Sequence, residues 1–180
     1  MSDLEFIKDD GLRKILEDSM EFIFVLYTKQ AKENEQNKLY QEEVYRVIIL
    51  YVISIIEAVL LYFFKERGEK IEYFEYKYPS QLLPGYRHKE KLDFPVVIAV
   101  QEIAEKKEHQ IGLKELIVFF RDKKLIQEKL AEEILEINDV RNTFHFSKPR
   151  DKSCDLKRVE NAVGLLLNIL EQIPNSLQKK

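Results

Sequence analysis

An all-α fold, an up-and-down bundle of five to six helices, is predicted by three features of this 180-residue sequence. Apolar residues recur at steps of three and four over long stretches, the period of a helix with one covered face. Glycine and proline number five each, so few positions favour the tight turns that separate short strands. Hydrophobic residues make up 45% and charged residues 34%, which provides both a core and a solvated surface. One domain spanning residues 1–180 is expected.

Leu12, Ile15, Leu16, Ser19, Phe22, Ile23 and Leu26 keep helical spacing and predict a first helix over residues 10–33. The polar run from Lys32 to Lys38 makes a connection, and a longer second helix covers 39–67. Between Val47 and Phe64 only Ser54 and Glu57 are polar, and such a run meets the minimum length of a membrane span. Glu57 lies deep within it, where an ionisable group is unfavourable in lipid. The other amphipathic helices also need an apolar partner, so a buried central helix is expected and no membrane.

Gly68 ends the second helix. An irregular insertion at about 69–94 follows, in which IEYFEYKYP reads as a short strand or an extended aromatic loop. Pro95 opens a predicted third helix through Lys107. A short helix over 113–121, the connection DKKLI and a helix over 127–145 come next, with Pro149 as the stop. The last helix runs from Cys154 to Pro174 on the seam Leu156, Val159, Val163, Leu166, Leu170 and Ile173.

A net charge of −3 gives no overall attraction to nucleic acid, so any such binding needs a local patch. The single cysteine, Cys154, cannot form an internal disulfide, and no Cys/His cluster has zinc spacing. No metal or cofactor is therefore expected. The opening MSDLEFIKDDGL is acidic and lacks the apolar stretch of a signal peptide, so a cytoplasmic location is expected.

The segment INDVRNTFHFSKPR places charge where the bundle needs apolar contact. A step of four from Ile137 lands on Arg141, and a further step lands on His145, so both side chains share one helix face. A guanidinium at a core edge needs a partner. Glu57, with Ser54 one turn before it, is the candidate. One reading is a structural ion pair with His145 complementing the helix dipole; the other is a chemical site. Lys148, Arg150, Lys152, Lys157 and Arg158 follow closely, opposed by Asp151 and Asp155, and form a local positive field suited to phosphate.

Arg141-Asn142-Thr143-Phe144-His145 resembles the mark of the HEPN superfamily of small helical bundles, an Arg followed by a polar residue and then a His at a helix end. GLKELIVFFRDKKLIQEKLAEEILEINDVRN is similar to that family's approach to the motif, and SIIEAVL resembles its earlier helix with a supporting acidic residue. The resemblance implies a metal-independent endoribonuclease in defence or stress response. In it His145 moves protons, Arg141 stabilises the scissile phosphate, Asn142 holds backbone or ribose, and Glu57 orients Arg141. It also implies a homodimer in which two Arg/His pairs face one cleft, with RNA as ligand. Three residues separate Arg141 from His145, a shorter spacing than the family's usual one. That spacing keeps open a second reading, a non-catalytic helical module that binds a protein or nucleotide partner.

Overall fold

The helix α2, Lys38–Glu66, is the element on which the other four long helices pack. The computed structural model describes residues 4–31, 37–77, 100–144 and 153–178. Two compact units emerge, one of Met1–Arg67 with Gly112–Lys180, and one of Gly68–Ile111. The first holds α1 (Asp10–Val25), α2, α3 (Leu113–Asp122), α4 (Glu128–Asn142) and α5 (Leu156–Gln178). The second holds strands β1 (Glu72–Lys77) and β2 (Val100–Glu105). The predicted mostly helical architecture with a small strand-bearing insertion is the one observed.

The apolar run of α2 is explained by its position. Ile48, Ile49, Val52, Ile53, Ile56, Val59 and Leu60 are fully buried, and they point to several sides of the helix. By length and composition α2 is also apolar enough to cross a membrane. Here α1, α3, α4 and α5 cover most of it. Asn37 caps its start by accepting the Tyr40 N–H at 3.1 Å. Gly68 follows its end with φ +64°, the left-handed conformation that glycine adopts without strain.

Asp9 caps α1, accepting the Leu12 N–H at 2.9 Å. The helix runs antiparallel to α2: Phe6 stacks on Phe63 just before α1 begins, and Phe22 meets Tyr51 near its end. The α-helix stops at Val25 and continues as a π-helical turn over Leu26–Ala31, so the predicted span of 10–33 divides into two geometries.

In α3, Leu113, Leu116, Ile117 and Phe120 face the core. It ends in a tight turn in which Lys124 has φ +56° and Leu125 N–H donates to the Phe120 carbonyl at 2.9 Å. In α5 the predicted seam buries Val159, Leu166, Leu170 and Ile173, with Ala162 and Ile169 buried beside them, whereas Leu156 is exposed and Val163 half-buried. The helix does not stop at Pro174, as its sequence predicts, but passes through it to Gln178. A proline this close to a helix end removes one main-chain donor without removing the turns that follow.

Gly164 lies mid-helix in α5, and a Cβ built there meets nothing within 4 Å. Glycine in a helix interior is about 1 kcal/mol less favourable than alanine. Gly164→Ala is therefore expected to raise the melting temperature by about 2–4 °C in a thermal melt.

Within the third helix predicted over 95–107, residues 100–105 are instead the strand β2, paired antiparallel with β1. Val100 and Ile103 are three apart and so imitate helical spacing. In the hairpin they fall on opposite faces, because the strand period is two. Phe74 sits opposite Ile103 and Tyr73 opposite Ala104. Lys77 pairs with Glu102 at 2.5 Å and Lys70 with Glu105 at 2.6 Å. Each carboxylate, by its hydrogen bond, raises the pKa of its lysine. Residues 95–99 lie outside the described residues.

Candidate functional site

Arg141 stands in the last turn of α4. The buried stripe of that helix is Leu130, Ala131, Ile134, Ile137 and Val140. Val140, not Arg141, takes the core position after Ile137, because a period of 3.6 lets either follow and the apolar side chain is the better fit. Arg141 is left half-buried at the edge. Its Nη1 donates to Asn138 Oδ1 at 3.5 Å, a long and weak bond. No carboxylate among the described residues pairs with it.

Glu57 does not orient Arg141. Its Oε1 accepts the Leu113 N–H at 3.1 Å, and so satisfies one of the free donors at the start of α3. A second comes from within α3, where Glu115 accepts the Gly112 N–H at 3.1 Å. Ser54 is exposed and donates to the carbonyl of Leu50 at 2.9 Å, so it does not support Arg141 either. Asn142 ends α4 half-buried beside the arginine. His145, Lys148, Arg150 and Lys152 lie outside the described residues. Lys157 is exposed in the first turn of α5. Arg158 is half-buried there, its backbone N–H capped by Asp155 Oδ1 at 2.9 Å and its guanidinium donating to the Ser153 carbonyl.

The buried charge near the end of α4 and the start of α5 belongs to another arginine. Arg46 of α2 is only 7% exposed. Its Nη2 lies 2.6 Å from Glu42 Oε1, its Nε 3.6 Å from Glu43 Oε1, and its guanidinium 5.1 Å from the Phe144 ring centre. Glu42 Oε1 also accepts the Cys154 N–H at 3.2 Å. One ion pair thus ties α2 to the end of α4 through an aromatic face and to the beginning of α5 through a hydrogen bond. Nε and Nη1 find no hydrogen-bond acceptor among the described residues. The negative face of the Phe144 ring offsets part of that loss. The clue in the sequence is a Glu and an Arg four apart, Glu42 and Arg46, directly before the apolar run.

Arg46 and Glu42 therefore bring Phe144 and Cys154 together, and with them the last turn of α4 and the first of α5. Arg141, Asn142, Lys157 and Arg158 lie on these two turns. Cys154 has no nucleophilic character: burial pushes its thiol up to about 12, against the opposing pull of Arg46 and Arg158. Iodoacetamide at pH 8 is expected to label it far more slowly in the folded protein than in urea, read by mass spectrometry. A thiol whose pKa is raised from 9.0 contributes stability below about pH 9 and loses it as pH climbs through about 12.

Among the described residues no group of three His, Cys, Asp or Glu side chains is placed to hold a metal ion. No protein-family model, curated protein or solved structure matches the chain.

Proposed function

We propose that the chain is a metal-independent endoribonuclease of the HEPN kind, working from the α4–α5 junction. The observation that carries this reading is the state of Arg141. Its guanidinium is half-exposed, bonded weakly to a neutral amide, and unpaired with any carboxylate among the described residues. Planar donors left free in this way suit the two oxygens of a phosphate. Lys157 and Arg158 add positive charge on the adjoining turn, which favours a polyanion.

RNA carries its own nucleophile. In the proposed step the 2′-oxygen attacks phosphorus, and His145 takes the proton from the 2′-hydroxyl. The phosphorus bond to the 5′-oxygen breaks, and the leaving oxygen receives a proton from the imidazolium. The products are a 2′,3′-cyclic phosphate and a 5′-hydroxyl. Arg141 stabilises the charge on the non-bridging oxygens, and Asn142 holds the adjacent backbone or ribose. A homodimer that joins two such junctions is part of this reading.

The test is incubation of unstructured RNA with the purified chain in EDTA. Endonucleolytic cleavage is expected. Intact RNA under conditions where the protein stays folded would refute the reading. It would leave the non-catalytic binding module, which an apolar groove elsewhere on the helical unit favours.

A further inference from the structure

A groove runs between α1 and α5 with α2 as its floor. Among the described residues, these two outer helices each pack on α2 and leave a gap between them. Met20, Phe24 and Tyr27 form one wall, Val163 and Leu167 the other, and Ile48 and Val52 the base. The space is about 500 Å³ and its lining is almost wholly apolar. Phe24 is 62% exposed and Leu167 51% exposed. Side chains of this size left bare beside one another mark a contact surface.

Two further observations say what fits there. The first is Gly164, which lines the groove although its own chain leaves open space for a Cβ. Packing within the chain gives no reason for glycine at that mid-helix position. Close approach of another backbone does, as at tightly packed helix pairs. The second is charge. Glu17 and Glu21 lie on α1 within a turn of Met20 and Phe24, and Glu160 and Glu171 lie on α5 within a turn of Gly164 and Leu167. All four are exposed, and Lys157 is the one exposed cation on the same stretch of α5. With exposed Lys14 and Lys29 on the α1 side and Lys157 on α5, the rim keeps an excess of carboxylates around an apolar trough.

We infer that this groove docks the apolar face of an amphipathic helix with basic flanks, supplied by a partner protein. Such a helix presents about four apolar anchors at i, i+3 or i+4 and i+7, which suits a trough of this volume between two helices. Its lysines or arginines meet the rim carboxylates, and its backbone passes close to Gly164. An anionic amphiphile such as a fatty acid would suffer repulsion from the same rim. A second copy of the chain is a poor match as well, since no described helix joins an exposed apolar stripe to basic flanks. The inference does not depend on the ribonuclease reading.

The experiment uses two synthetic 18-residue helical peptides with identical leucine faces, one flanked by lysine and one by glutamate, titrated by fluorescence anisotropy. The lysine-flanked peptide is expected to bind at least about tenfold more tightly, a difference of 1.4 kcal/mol. The triple charge reversal Glu17→Lys, Glu21→Lys, Glu160→Lys should invert the preference, and Gly164→Trp should abolish binding of both. These positions are exposed or face open space, so the variants are expected to fold, with circular dichroism as the check. Equal binding of the two peptides, or none, overturns the inference. So does palmitate binding that Gly164→Trp removes while neither peptide binds. Sedimentation showing a dimer that Leu167→Glu dissociates overturns it in favour of a second copy.

Discussion

Arg46→Ala is expected to lower the melting temperature by about 5–10 °C, the largest loss that any single charged residue here should produce. Arg46 is 7% exposed, and together with Glu42 it links α2 to Phe144 at the end of α4 and to Cys154 before α5. Its removal leaves Glu42, which accepts the Cys154 N–H, without the cation that balances it, and strips the Phe144 ring of its guanidinium contact. Breaking a buried pair commonly costs about 3–5 kcal/mol, and the partial exposure of Glu42 reduces this to about 2–3 kcal/mol. Arg46→Lys should recover only part of the loss, because an ammonium cannot reach Glu42 and lie flat over Phe144 at once. Glu42→Gln should fall between the two, since the amide oxygen still accepts the Cys154 N–H. A double-mutant cycle between positions 42 and 46, followed by thermal or urea unfolding, measures the coupling directly. A coupling near zero would mean that the pair does not join α2 to the α4–α5 junction.

Arg141→Ala and His145→Ala are each expected to reduce RNA cleavage by about 10²–10⁴-fold. For Arg141 the fold gives a clear reason to expect this without unfolding. The one hydrogen bond its side chain makes among the described residues is 3.5 Å long, and Val140 rather than Arg141 fills the core position. The melting temperature of Arg141→Ala should therefore stay within about 2 °C of the parent, as for other surface substitutions. Arg141→Lys keeps the charge but loses the planar fork, and should retain an intermediate rate. Activity that survives both alanine changes would refute the assigned roles. A collapse of helical content in both would make the Arg/His motif structural instead. The contrast with Arg46 is informative: one arginine is expected to govern stability, the other rate.

The helices were legible in the sequence because their signal is periodic and their partner is apolar. The α2 run, the α4 stripe and the α5 seam all report burial, and burial decides helical packing. Strand β2 was hidden because Val100 and Ile103 satisfy a three-residue step by coincidence, and its partner lies 23 residues away beyond a long connection. Hairpin pairing is a non-local contact that no window of a few turns can register. The ion pairing was misassigned for a related reason. Glu57 is the lone charge of an apolar stretch and so drew attention as a partner for Arg141. Which group it meets depends on where α3 begins in space, and that group is the Leu113 N–H. The burial of Arg46 is not legible in the sequence, because a Glu and an Arg four apart look like an ordinary exposed pair on a helix. Only the fold shows the Phe144 ring closing over it.

The chemistry proposed for the junction of α4 and α5 leaves a specific record in its products. Mass spectrometry of the termini made when the chain cuts a defined RNA in EDTA is the direct measurement. The expected ends are 2′,3′-cyclic phosphate and 5′-hydroxyl, absent with Arg141→Ala. Fragments that carry 3′-hydroxyl and 5′-phosphate ends, or cutting that starts only when a divalent cation is restored, would contradict that chemistry.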